Sequence, residues 1–206
     1  LVPSASSDST GKLEFRLNNS LTGSIAIGSN AVSMSTSYLT NLMGGKLWNV
    51  YLTRMTSSAD PNITQEYILY SGLQDEDRIP QLVAVSMSIS ASVSASIPSS
   101  NHRANENFMG SGSLLNTVSG NLYIGNIFTG SFAEVRSWSG SLSASKFKQH
   151  ILNKKSSVGN TLSSSLYDLI YHYRLDENYP SGSMVGKNIK DANVHTIDQS
   201  KSLTLT

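Results

Sequence analysis

Apolar and polar residues alternate with a period of two over much of this chain, the spacing of strands with one buried face. The longest case runs from Val83 to Ile97. Odd positions read Val83, Val85, Met87, Ile89, Ala91, Val93, Ala95 and Ile97, and even positions read Ala84 and then serine at every step to Ser96. A strand rises about 3.3 Å per residue, so this run would span roughly 50 Å if straight. That exceeds an ordinary strand, and a bend or break is expected near Ser90–Ser92. Further strands are predicted over Leu13–Leu17, Ser24–Ile27, Ala31–Ser35, Leu47–Met55, Tyr67–Ser71, Asn121–Gly125, Phe132–Trp138 and Leu169–Leu175. Glycine, asparagine, serine and proline punctuate them as turns require. Many short strands separated by turn signals predict an all-β antiparallel sandwich.

One helix interrupts this pattern, over about Ala144–Asn153. Ser143 can cap it by accepting a backbone N–H, and Leu142 and Phe147 stand at the spacing of a hydrophobic staple. Phe147 and Ile151 share a face, which should pack on the sheet. Lys154 and Lys155 lie where the helix dipole favours cations. The segment 156–165 reads as a loop. Residues 1–12 read as an N-terminal linker, 13–178 as the sandwich, and 179–206 as a linker or extension outside its core. Pro180, Gly182 and Gly186 interrupt the extension, and Ser202–Thr206 alternates well enough to add as an edge strand elsewhere.

Composition narrows the function classes. The net charge is +1 and only 14% of residues are charged, which excludes a dedicated nucleic-acid binder. Polarity comes instead from serine, about a fifth of the chain. There is no cysteine, hence neither a disulfide framework nor a thiolate zinc site. No apolar run is long enough for a membrane-spanning helix, and no membrane partner is expected. The opening residues lack the basic and apolar regions of a signal peptide, and the missing initiator methionine suggests a piece of a longer protein.

Two blocks carry a resemblance. Asn121-Leu-Tyr-Ile-Gly125, then Phe128-Thr-Gly-Ser-Phe-Ala-Glu-Val-Arg-Ser-Trp138, then a helix opened by Leu142-Ser143, resembles the laminin-G-like and pentraxin-like domain signature. Gly130, Phe132, Glu134, Val135, Arg136 and Trp138 fill its central strand. Lys46-Leu-Trp-Asn-Val-Tyr-Leu-Thr53 resembles an upstream strand of the same family. The second block, Phe147 to Asn160 followed by Asp168-Leu-Ile-Tyr-His-Tyr-Arg-Leu-Asp-Glu-Asn178 and Ile189-Lys-Asp-Ala192, resembles virion structural proteins of tailed marine phages. The resemblance implies a concanavalin-A-like jelly roll and a virion component assembled in the host cytoplasm. Its partners would be other virion subunits of capsid, neck or tail. A carbohydrate-binding module for host-surface attachment is the alternative, with a cell-surface glycan as partner, and a glycoside hydrolase is a further one.

Chemistry-bearing motifs are sparse. Glycosidases of this fold need two carboxylates facing one another on a strand, and Glu134-Val-Arg-Ser-Trp138 supplies one. Asp75-Glu-Asp77 falls short of the six to eight oxygens that calcium takes and reads as a solvated turn, neutralised by Arg78 before an Ile79–Pro80 turn. Glu134 and Arg136 read as a structural pair beside the helix, with Trp138 against Phe147. Trp48 reads as packed inside. The histidines His102, His150, His172 and His195 are scattered without metal-ligand spacing, and His172 reads as a polar surface residue. No nucleophile elbow occurs. Asn18-Asn-Ser20 and Asn62-Ile-Thr64 match glycosylation sequons. His102–Phe108 is either a recognition loop or a plain connection. The expectation is therefore a non-enzymatic domain with no catalytic, cofactor-binding or metal residues and no cofactor, whose ligand-binding residues the sequence does not reveal.

Overall fold

The computed structural model describes residues 1–17, 32–56, 65–89, 130–138, 140–157, 168–176, 188–189, 192 and 203–204. The strands expected at Ser24–Ile27 and Asn121–Gly125, the stretch beyond Ile89 with its expected bend, both sequons, His102–Phe108 and His195 lie outside them. The described residues are mostly antiparallel β-structure with a single short helix.

The centre is a three-stranded antiparallel sheet of β5 (Trp48–Thr56), β6 (Gln65–Asp75) and β7 (Arg78–Ile89), in that order. Its register sets Leu69 opposite both Leu52 and Val85, and Tyr70 opposite both Tyr51 and Ala84. Because side chains alternate between faces, Tyr67, Leu69, Ser71 and Leu73 of β6 share one side, and all four are buried. The alternation read from β7 holds over its described length: odd positions 83, 85 and 87 are half-buried, and Ala84, Ser86 and Ser88 are exposed. The turn between β6 and β7 is tighter and earlier than Ile79–Pro80, which lie within β7. Asp75 pairs with Arg78, and Glu76 takes a left-handed φ of 54°. Pro80 sits beside the register shift after Leu73, on the last strand of the β5–β7 order, a place that tolerates proline.

Each face of this sheet carries a packed element. On one side lies the hairpin of β3 (Glu14–Leu17) and β4 (Val32–Ser35), which pairs Phe15 with Met34. Met34, Tyr67 and Leu69 form a buried cluster, with Leu13, Phe15, Leu52, Val85 and Met87 packed around it. Buried Thr36 fastens the hairpin: its N–H donates to the Leu13 carbonyl at 2.9 Å, and its hydroxyl accepts the Leu13 N–H at 3.1 Å.

The other face holds helix α1 (Ala144–Leu152). Its start follows the sequence reading, since Ser143 is extended (φ −68°, ψ 157°) and its side chain accepts the Lys146 N–H at 3.1 Å. Both members of the expected staple, Leu142 and Phe147, are buried. The Phe147 ring lies 5.6 Å from that of Tyr51 and 5.8 Å from that of Tyr70, and these two stack 5.8 Å apart. The Tyr51 hydroxyl accepts the Leu142 N–H at 2.6 Å, tying the chain entering the helix to the sheet. One turn on, Ile151 is fully buried over Gly72, where an added Cβ would collide with its Cδ1.

Two terminal segments carry paired strands of their own. Residues 1–12, read as a linker, contain β1 (Val2–Ser4) and β2 (Ser7–Lys12), an antiparallel pair. Their order comes from backbone pairing that an apolar pattern does not reveal. Gly11 and Leu39 exchange N–H···O bonds of 3.2 and 2.7 Å, and the Met43 N–H donates to the Ser9 carbonyl. In the tail, β10 (Asn188–Ile189) pairs with β11 (Leu203–Thr204), so the alternating C-terminal stretch finds its partner within the chain. Ile189 is buried and the Ala192 N–H donates to the His172 carbonyl at 2.7 Å, so these tail residues do not stand clear of the rest.

Replacing Phe147 by alanine empties a closed aromatic site and is expected to lower stability by about 3–5 kcal/mol in denaturant melts. A loss below about 1 kcal/mol would mean that the helix is not docked. Gly72→Ala tests the same contact from the sheet side. With Ile151 enclosed, overpacking should cost about 1–3 kcal/mol, and an unchanged Tm would contradict this packing.

Candidate functional site

The described residues gather their buried histidines and a buried ion pair where α1 meets the pair β8 (Val135–Trp138) and β9 (Leu169–Tyr173). These strands are antiparallel, with Arg136 opposite His172. β9 is almost wholly interior: Leu169, Ile170, His172 and Tyr173 are buried. The strand expected from Phe132 begins only at Val135, because Glu134 has a left-handed φ of 59°. Phe132 is therefore left 45% exposed rather than continuing a strand face. A non-glycine residue in that region is strained and must be held by its surroundings. The Glu134 N–H donates to the Arg174 carbonyl, and its carboxylate is gripped by Arg136, two residues on, and by His172 of the facing strand.

The grip is specific. Glu134 Oε2 accepts from Arg136 Nη2 at 2.9 Å and lies 2.5 Å from His172 Nε2. Arg136 Nη1 donates to the Ser156 carbonyl at 2.9 Å and to His150 Nδ1 at 3.0 Å. A guanidinium only donates, so His150 accepts through Nδ1 and its neutral ring carries the proton on Nε2. His172 Nδ1 is 3.4 Å from the Ser157 hydroxyl. The Trp138 and His150 rings lie 5.3 Å apart.

The Glu134–Arg136 pair is thus the structural pair that the sequence suggested, with side chains 13% and 5% exposed. Two other readings are corrected. His172 is no surface residue but is fully buried, because β9 has neighbours on both faces. Trp138 meets His150, while Phe147 points to Tyr51 and Tyr70 from the adjacent helix stripe. His150 was legible as helical but not as part of this cluster. Its one signal is a polar residue three after Phe147, beside the apolar stripe.

Burial sets the electrostatics. His150 is pushed down from 6.5 to about 4, first by desolvation, then by the charges of Arg136 and Lys146; the Ser156 carbonyl acts the other way and His172 adds a little. His172 is also lowered, first by desolvation, against which the Glu134 hydrogen bond works. Desolvation lowers Arg136 as well, opposed by Glu134. On α1's other side, burial raises Tyr51, partly offset by its Thr53 and Leu142 hydrogen bonds.

Chemically, the cluster resembles a serine–histidine–carboxylate chain, but its central imidazole has no solvent-accessible surface. A general base must reach the proton that it takes from a substrate, and this one is enclosed. Among the described residues no group of three or more histidine or acidic side chains could hold a metal. Asp75 pairs at the surface with Lys46, 3.0 Å away, rather than joining Glu76 and Asp77 as ligands. Trp48 is half-buried with its Nε1 donating to the Asn41 carbonyl, Trp138 is half-buried on His150, and Tyr123 lies outside the described residues.

These shifts predict a pH dependence. A histidine with a depressed folded pKa is neutral in both states above 6.5; below that, the unfolded chain takes up the proton first. Stability is therefore fully present above 6.5 and is lost as pH falls toward 4. For His150 the loss amounts to about 3 kcal/mol. Denaturant melts at pH 7 and pH 4.5 check this: His150→Gln should lose markedly less stability between them than the parent, and equal losses would contradict the assignment. Compared with family models, curated proteins and solved structures, the chain matches none of them.

Proposed function

We propose that this chain is a non-enzymatic structural or decorating domain of a tailed-phage particle, a concanavalin-A-like sandwich that works by docking onto neighbouring capsid, neck or tail subunits. The observation that carries the reading is the closure of the Glu134–Arg136–His150–His172 cluster. Its charges and imidazoles are spent on one another inside the fold, and His172 has no exposed surface from which to meet a substrate. The two-layer packing of the β3–β4 hairpin on the β5–β7 sheet fits a sandwich. Docking suits the outer row of β7, where Ala84, Ser86 and Ser88 are exposed and uncharged. Such a row can be covered by a partner without the desolvation cost of buried ions.

The resemblance to virion proteins supplies the particle, and the glycan-binding alternative gains no specific support from the two described tryptophans. Mass spectrometry of particles purified from cells expressing the gene is the direct test. Peptides of this chain should be recovered from the purified particle in step with its other subunits. Their absence would sink the virion role.

A further inference from the structure

We propose that the seam between α1 and the β8–β9 pair is an acid-operated hinge: when the imidazoles in it become charged, β8 and β9 swing away from the helix while the helix stays on the β5–β7 sheet.

α1 is held on two sides. Phe147 and Ile151 anchor it to Tyr51, Tyr70 and Gly72 through apolar contacts that protons do not affect. The adjacent stripe, Lys146 and His150, is buried too, and His150 faces β8. Polar bonds cross that second seam: Arg136 to His150, Arg136 to the Ser156 carbonyl, and His172 to Ser157. Each of these three runs through Arg136 or an imidazole. The helix is thus joined on one side by a pH-indifferent contact and on the other by one built of titratable groups.

The charges facing the seam come from every element around it. β8 and the residue before it bring Arg136 and Glu134, α1 brings Lys146 and His150, and β9 brings His172, with Arg174 after it and, before it, Asp168, whose carboxylate lies against Gly140. Tyr51 and Tyr70 lie across the helix, on the other sheet. With both imidazoles neutral, Glu134 balances Arg136. Once both are protonated, three cations share one carboxylate in a dry site, with Lys146 and Arg174 adding to the imbalance. Like charges at such distances in low dielectric repel strongly. His150 also loses its acceptor lone pair on Nδ1, so the Arg136 bond fails outright. Depressed imidazole pKa values fit this picture, because they mean that the closed seam resists the proton and the open one accepts it. Buried Arg136 Nε, Trp138 Nε1 and His150 Nε2 find no hydrogen-bond acceptor among the described residues, so opening to water costs this seam less than a satisfied one. Gly140 and Ser141, between Trp138 and the cap of α1, provide a small-residue pivot.

Trp138 reports the motion, since its ring leaves His150 when the seam opens. In the full chain carrying Trp48→Phe, Trp138 emission and far-UV circular dichroism are followed from pH 8 to pH 4. A reversible red shift toward the emission of water-exposed indole is expected below pH 6.5, before the dichroism changes, and His150→Gln should abolish it. Hydrogen exchange, corrected for intrinsic rates, gives a readout that does not depend on that variant. Amides of β8 and β9 should lose protection at pH 5 while those of β6 keep theirs. The hinge is overturned if emission is quenched with no red shift, which means a charged imidazole in a closed seam. It is equally overturned if emission and dichroism change together, if His150→Gln retains the step, or if β6 loses protection with β8 and β9.

Discussion

The contact that seats the helix is the Phe147 ring against the stacked rings of Tyr51 and Tyr70. Aromatic side chains bury more area than any others and prefer offset or tilted contacts of this kind. With Phe147 seated, Ile151 must come down one turn later, and β6 accommodates it by having no side chain at Gly72. The rotation of the helix about its own axis is then set. That rotation turns His150 toward Arg136 and Trp138, so an apolar contact on one side dictates which polar groups meet on the other.

The polar side of the helix shows why buried ions need several partners. Glu134 and Arg136 lie two residues apart on one chain, but their proximity alone would not justify removing both from water. Desolvating a charge costs several kcal/mol unless further hydrogen bonds compensate. Here the carboxylate gains His172, and the guanidinium gains a carbonyl and an imidazole. The left-handed backbone at Glu134 is what brings its carboxylate back over the strand, and a regular β conformation at that position would have continued the strand toward Phe132 instead.

Much of this was legible in the chain. The serine–apolar alternation marked β7 and which of its faces points inward, and Ser143, Leu142 and Phe147 marked the start of α1 and its docked side. These are local signals, set by periodicity and capping chemistry. The N-terminal hairpin was not legible, because Ser7–Lys12 is ordered by backbone bonds to Leu39 and from Met43, and carries no apolar period. Nor was the histidine cluster. His150 and His172 meet Arg136 only through tertiary packing, and the twenty-one residues between them give no hint of a shared partner. The shortening of β8 was hidden for another reason, since glutamate is not a residue type that announces a left-handed turn.

The outer row of β7 has a consequence for descent. Ala84, Ser86 and Ser88 are exposed on this chain, so any small uncharged residue that a docked partner can cover serves there, and a lineage can exchange one such residue for another. Tyr67, Leu69 and Gly72 on the neighbouring strand are locked from both sides and cannot drift without a compensating change elsewhere. The most recognisable stretch of this chain, its serine alternation, is therefore the part that time erases first. Distant kin would be known instead by an unremarkable glycine in the middle of a strand, with an aromatic pair beside it and a helix laid across the gap.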